Sequence, residues 1–505
     1  MRLPYQALVL ALAAVPLAGA LKQPVKTNTG LVSGIPGRDP AIAVFKGIPF
    51  AAPPVGNLRW REPRAAAAWQ GVRKADQFSS SCIQIIKSDN KPWTYEFMTH
   101  NEVSEDCLYL NVWTGAKAAS EGRPVYLYIY GGANTEGSAA VPVYDGEGLA
   151  KKGIVVVTVN YRLGIFGFFA HPELTKEAEY KASGNYALLD LVAALHWVRD
   201  NIAAFGGDPA KVTIGGQSAG GANTYSLLAS PLAKGLFRGA IVESGGGGSR
   251  PLAELEQVGA KFAEAKGAGS LADLRRMSWK DLIAPVPGAP PFRFSTAALD
   301  GYVLRDQSEP NGVPMLTGIN MHEGGATPHP EVTVAGYEQQ VRRRFPDLAD
   351  EVLKFYPAAT DEAARAAQNE LAWDAARVSM YVRASQRAQK TKTKVYTYFW
   401  DHALPGPDAE KYGAFHSSEV PYVMGALAMS DRPFTAADQQ IAGMMTSYWA
   451  NFIATGDPNG KGLAHWPSVE EKPDFTMEVG DKTAAIPTAG SEAKRKLLEK
   501  QFARP

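Results

Sequence analysis

Apolar residues along this chain fall into two kinds of pattern. Short uninterrupted runs rich in β-branched and aromatic side chains occur at Val125–Tyr130, Ile154–Val159, Val212–Ile214, Ala240–Val242 and Lys394–Phe399. Such runs predict strands buried on both faces, because a strand with one solvated face would alternate apolar with polar residues. Between the second and third runs the period changes, and over residues 186–201 Leu188, Leu189, Val192, Leu195 and Val198 recur at helical spacing. Strand, helix, strand in that order predicts an α/β fold. Its mainly parallel sheet would carry helices on both faces and gather its chemistry at the carboxyl ends of the strands. Residues 251–276 and 361–389 are rich in alanine and charge and predict surface helices added to that sheet. No linker-like stretch and no internal repeat divides the chain, so one elaborated domain from residue 21 to residue 505 is expected.

Composition narrows the partners. With 505 residues, 45% of them hydrophobic and 20% charged, the chain can build a large core. Its 52 Lys and Arg balance 51 Asp and Glu, for a net charge of +1, which gives no electrostatic reason to expect nucleic acid or an anionic membrane as partner. At the N-terminus Arg2, the apolar stretch from Ala7 to Val15 and then Ala18-Gly19-Ala20 fit a secretory signal peptide over residues 1–20, and Pro4 and Pro16 argue against a buried helix there. A secreted or periplasmic protein is the expectation. No other stretch approaches the ~18 to 20 apolar residues of a membrane span, so no transmembrane segment is expected. In an exported chain the two cysteines, Cys82 and Cys107, read as one disulfide closing over residues 83–106. Such a loop contributes about 3 kcal/mol by the chain-entropy argument. The eight histidines are scattered without H-x-x-x-H spacing, so neither a metal nor any other cofactor is expected.

The third apolar run leads into Gly216-Gln217-Ser218-Ala219-Gly220. Glycines on both sides of a serine, after a strand and before a helix, fit a nucleophile elbow that presents the hydroxyl at the tip of a tight bend. Five residues alone are met equally well by a Gly-rich turn that happens to hold a serine. A serine hydroxyl becomes a useful nucleophile only with a histidine to take its proton, a carboxylate to orient that histidine, and backbone donors for the oxyanion. Tyr130-Gly131-Gly132-Ala133, directly after the first run, is placed where an oxyanion loop belongs.

Together these segments carry a family resemblance. Phe205-Gly206-Gly207-Asp208-Pro209 followed by Val212, Ile214 and residues 216–220 resembles the serine signature of the type-B carboxylesterases. Residues 104–113, Ser-Glu-Asp-Cys-Leu-Tyr-Leu-Asn-Val-Trp, are similar to that family's second signature, which contains a disulfide cysteine. Phe45 to Pro54, residues 160–168 and Gly184-Asn185 are further similar stretches. The resemblance implies an α/β-hydrolase fold and a serine esterase acting on small carboxylic esters with water through an acyl-enzyme. It makes Glu323, in Asn320-Met321-His322-Glu323-Gly324, the triad acid, and His416, in Gly413-Ala414-Phe415-His416-Ser417-Ser418-Glu419, the base. The order Ser218, Glu323, His416 is independently the chain order of an α/β-hydrolase.

By the same resemblance the oxyanion donors are the N–H groups of Gly132, Ala133 and Ala219, Ser244 supports the acid and base, and Arg59–Glu105 and Arg162–Asp190 are structural ion pairs. His196, on the helical run, is expected to pack against neighbouring structure. The chain departs from the pattern at Gln217, where many members carry Glu, at Ala133, and at Asn134, where an aromatic is common. Asn134 would either bind a polar acyl group or fill a differently shaped wall. Trp93, Tyr95 and Phe97 lie inside the Cys82–Cys107 loop, where they would either line the substrate entrance or anchor the loop. The alternatives to a carboxylesterase are a non-catalytic adhesion or binding relative and, among enzymes, a lipase, an amidase or a carbamate hydrolase. The alcohol and acyl groups of the substrate and the oligomeric state are not written in these motifs.

Overall fold

A computed structural model describes residues 21–87, 90–246, 248–306 and 311–502. The expected signal peptide, residues 1–20, lies outside the described residues. The main sheet has eleven strands: β1 (Ile35–Pro36), β2 (Ala43–Pro49), β3 (Tyr109–Thr114), β4 (Arg123–Ile129), β5 (Val155–Val159), β6 (Gly207–Gln217), β7 (Gly239–Glu243), β8 (Met315–Asn320), β9 (Val395–Trp400), β10 (Phe475–Val479) and β11 (Ala484–Pro487). Their spatial order is β11-β10-β9-β8-β7-β6-β4-β5-β3-β2-β1. Pairing is parallel from β5 through β4, β6, β7, β8 and β9 to β10, and antiparallel at both margins.

The five apolar runs all became parallel strands of this sheet. Every side chain of β5 is fully buried, as are Val125 to Tyr130 around β4, the burial that lets a continuous apolar run persist without a polar face. The helical period over residues 186–201 became α1 (Tyr186–Asn201), whose Leu188, Leu191, Leu195 and Val198 are completely buried. Four further helices matter here: α2 (Ala219–Ala229), α3 (Asp361–Thr391), α4 (Val420–Met424) and α5 (Ala436–Thr455). Helix α2 packs on β4, β6 and β7, α5 on β4 and β6, and α3 on β8, β9 and β10.

Helix α3 corrects the expectation of a mere surface helix at residues 361–389. Its Ala364, Leu371, Ala375 and Val378 are buried with Tyr337, Phe345, Val352 and Tyr356 in a second apolar cluster beside the main core. Alanine-rich composition disguised this, because small side chains at i, i+3, i+4 and i+7 let neighbouring helices approach closely without looking hydrophobic. The Arg59–Glu105 pair is bidentate, at 2.7 and 2.5 Å. Arg162–Asp190, at 2.8 and 2.7 Å, is buried throughout. Cys82 and Cys107 form a disulfide with their Cα atoms 5.0 Å apart. Among the described residues no helix is long and apolar enough to cross a membrane.

Candidate active site

Strand β6 ends at Gln217 and α2 begins at Ala219, so Ser218 is the single residue at the bend, with φ 57° and ψ −121°. Few non-glycine residues tolerate that conformation, and it persists only where the surroundings impose it. Here the imposing group is the end of β4. A Cβ on Gly216 would stand 2.2 Å from the Ile129 carbonyl oxygen, and one on Gly220 only 1.9 Å from it, so only glycine allows the strand and helix to close around that carbonyl. The Ser218 N–H donates to the Glu243 carbonyl (2.8 Å), and its own carbonyl accepts from Ala222 N–H (2.9 Å), which fixes the bend from both sides.

The parallel strands bring the other expected residues to the same end of the sheet. Glu323 follows β8 and His416 lies on the loop between β9 and α4. His416 Nδ1 is 2.5 Å from Glu323 Oε2. Glu323 Oε1 accepts from the Ser244 hydroxyl (2.8 Å) and from Asn320 N–H (2.6 Å), so the carboxylate is oriented by three partners. With Nδ1 donating to a carboxylate, His416 Nε2 carries the lone pair, as a general base requires. Burial by itself pulls the His416 imidazole down. The Glu323 hydrogen bond and charge more than offset this, and its pKa ends above the ordinary histidine value. Nε2 is met at 3.2 Å by the Gln217 side-chain amide.

Gly132, Ala133 and Asn134 follow β4 with consecutive positive φ angles of 108°, 54° and 58°. Their carbonyl and N–H groups therefore do not alternate as in a strand. The Gly132 carbonyl accepts from Thr135 and Glu136 N–H (both 3.0 Å), whereas the N–H groups of Gly132, Ala133 and Ala219 donate to no other described residue. Successive N–H groups turned to one side form an anion-binding concavity. Holding Ala133 there costs about 1 kcal/mol or more relative to glycine.

The carboxylesterase family model matches residues 22–503 of this chain. The chain belongs to the carboxylesterase family. It is 37% identical to a fumonisin B1 esterase of Sphingopyxis macrogoltabida over 94% of this chain and 90% of that protein. It is 34% identical to a para-nitrobenzyl esterase of Bacillus subtilis over 94% of this chain and 98% of the other, and 32% identical to a human cocaine esterase over 89% and 86%. The protein is accordingly a carboxylic ester hydrolase with the α/β-hydrolase fold.

In this carboxylesterase two hollows meet at Ser218. One, of about 200 Å³, is lined by Trp93, Phe97, Tyr144, Gln217 and His416 among others, with the exposed Ile85 and Ile86 at its rim. Trp93 both lines it and anchors its loop, donating from Nε1 to the His416 carbonyl (3.0 Å) while its ring meets Phe415 edge-on. Phe97 also lines the hollow, but Tyr95 does not: it is 68% exposed and stacks on His100. Of the three aromatics, the sequence offered nothing to separate Tyr95 from the others, because it lies two residues from Phe97 in the same short 3-10 helix, where about three residues per turn point the two side chains in different directions.

The second hollow, of about 480 Å³, runs past Ala133, Asn134, Asn223, Ser244 and Ser295. Asn134 is buried there with both ends of its amide occupied: Nδ2 donates to the Ser295 carbonyl (3.0 Å), and Oδ1 accepts from Asn223 (2.9 Å). Of the two readings of Asn134, the geometry supports a braced wall.

Several residues of the carboxylesterase site stand in or beside the motifs without a role assigned from sequence. Asn320 donates its side-chain amide to the Phe415 carbonyl (2.7 Å) and to Glu419 (2.5 Å), tying the acid loop to the histidine loop. His322 does the same, its Nδ1 accepting from Ala414 N–H (2.9 Å). Burial pushes its pKa down to about 4, so it is neutral. Glu419 and Glu243 are both fully buried. Each has one oxygen hydrogen-bonded, to Asn320 and Trp449 respectively, and one without a partner among the described residues. Burial first, and for Glu419 the neighbouring Glu243 charge, push them up to about 8 and about 7. Glu419 stands three residues after His416, so its position was in view, but its burial came only from the packing around it. Among the described residues no cluster of His, Cys, Asp and Glu could hold a metal ion.

Proposed function

We propose that the protein is a serine carboxylesterase acting through an acyl-enzyme, with Ser218 as nucleophile, His416 as general base and acid, and Glu323 as the acid of the triad. The observation that carries this reading is the 2.5 Å contact of His416 Nδ1 with Glu323 beside a serine held at a strained strand-to-helix bend. In the reaction Ser218 Oγ takes the place of the Gln217 amide at His416 Nε2 and loses its proton there as it attacks the ester carbonyl. The N–H groups of Gly132, Ala133 and Ala219 receive the developing oxyanion. The imidazolium, stabilised by Glu323, then protonates the departing alkoxide, and a water activated by the same nitrogen releases the acid and frees Ser218. Ser244 and Asn320 act through Glu323 and position it.

The rest of the reading concerns the chain as a whole: one α/β-hydrolase domain over residues 21–505, exported by residues 1–20, with an ester and water as its partners. A fluorophosphonate probe is expected to label Ser218 in the purified enzyme. Ser218→Ala is expected to lose the label and to lower kcat on a short-chain ester by about 10⁵ to 10⁶. Undiminished hydrolysis by Ser218→Ala would overturn the assignment.

A further inference from the structure

The two hollows differ in what they hold beside Ser218, and that difference assigns the two halves of the ester. His416 lines the smaller hollow and not the larger one. The group that protonates the leaving alkoxide must stand next to it, so the alcohol half lies in the hollow of Trp93 and His416. The acyl half is left with the larger hollow. No side chain lining that hollow is apolar and larger than alanine; its walls are the amides of Asn134 and Asn223, the hydroxyls of Ser226, Ser249 and Ser295, and the guanidinium of Arg250. Around Ser226 and Ser249 it opens into a further hollow of about 420 Å³, where the described lining residues include Arg383, Arg387 and Lys390 together with Asp306, Tyr225 and Leu304.

Ala133, Ala219, Ala222 and Ala297 give an acyl chain apolar contact near Ser218, and what sets these walls apart is their cationic far end. A carboxylate on the acyl chain would find charge-assisted donors in the arginines that an alkyl chain could not use. Arg250 is held for this by Glu254, which accepts from Nε and Nη2 (3.2 and 2.9 Å), and Arg383 by Ser379, which accepts from Nη1 (3.0 Å).

We propose that the acyl half of the preferred substrate carries a free carboxylate, as in the half-ester of a di- or polycarboxylic acid, and runs along the polar hollow toward Arg250 and Arg383. The proposal rests on the Ser218–His416 esterase reading and extends it to the substrate. The chemistry at the carbonyl is ordinary: water adds across the acyl–oxygen bond, the alcohol leaves on the His416 side, and the second carboxylate stays intact.

The test compares two esters of the same alcohol and matched acyl length, monoethyl glutarate and ethyl pentanoate, by pH-stat on the full-length enzyme. The ratio of their kcat/KM values is expected to favour the carboxylated ester by about tenfold or more. Arg250→Gln and Arg383→Gln are each expected to lower that ratio about three- to tenfold. Free glutarate, but not pentanamide, should slow fluorophosphonate labelling of Ser218. A wild-type ratio at or below one, a ratio unmoved in both variants, or labelling indifferent to glutarate would each overturn the proposal. Failure of the esterase reading looks different: neither ester is hydrolysed and Ser218 takes no label.

Discussion

On one side of Ser218 the wall is Trp93, Phe97 and His416; on the other it is Asn134, Asn223 and Ser295. The first wall contains groups whose protonation the fold shifts, the imidazole held by Glu323 and the buried Glu419 behind it. The second is built of amides and hydroxyls with Arg250 at its edge, and in it the Asn134 amide is paired at both ends, with Asn223 and with the Ser295 carbonyl. Charge can move on the first side, and on the second side shape is fixed. Changes to the His416 wall should therefore appear in pH dependence, and changes to the Asn134 wall in stability and acyl preference.

The sharpest way to break this contrast is Glu323→Gln. It removes the group that raises the His416 pKa, so the acid limb of kcat/KM should move to lower pH while kcat falls by about 10³ to 10⁴. A pH–rate profile with an unmoved acid limb would contradict the assignment. On the opposite wall, Asn134→Ala strands the Asn223 donor and the Ser295 carbonyl, and equilibrium urea unfolding should show a loss of about 1–3 kcal/mol. Its acid limb should stay in place, and a shift there would erase the distinction between the walls.

Glu419→Gln probes the charge behind the imidazole. The folded pKa of Glu419 lies above the unfolded value, so the folded state holds more protons and wild-type stability falls as pH rises from the ordinary carboxylate range through about 8. The variant lacks this titration. Its melting temperature relative to wild type should climb between pH 5 and 8, and parallel curves would count against the buried carboxyl. The smallest effect is expected from Gln217→Glu. A carboxylate 3.2 Å from His416 Nε2 favours the imidazolium, so the acid limb should move to higher pH with a change in rate of about two- to fivefold at neutral pH. Rates for cationic esters should rise relative to neutral ones.

Legibility in the sequence followed burial. The runs that became β4, β5, β6, β7 and β9 were visible because strands covered on both faces have no polar alternation to hide them. Strand β8, Met315-Leu316-Thr317-Gly318-Ile319-Asn320, is just as central but passed unnoticed. Gly318 and two polar residues break its run, and the space that a Cβ at Gly318 would need is filled by the Tyr398 ring of β9. The residues proposed as the triad, Ser218, Glu323 and His416, were singled out by motif and chain order, and the fold brings Glu323 and His416 into contact. Asn320 and His322 stood inside the quoted acid motif without a function, since what they bind comes from a loop more than ninety positions later.

The sequence by itself determined the parallel core, the tight bend at Ser218 and the chain order of Ser218, Glu323 and His416, because each depends on residues adjacent in the chain or on a period within one element. Tertiary structure alone decided what surrounds them. It paired both ends of the Asn134 amide, set Trp93 against the histidine loop while leaving Tyr95 outside, and buried Glu243 beside Glu419. It also brought Arg250 and Arg383, from segments far apart in sequence, to the same run of hollows as Ser218. Hydrogen-bond partners, local dielectric and cavity walls are properties of three-dimensional neighbours, and no spacing along the chain encodes them.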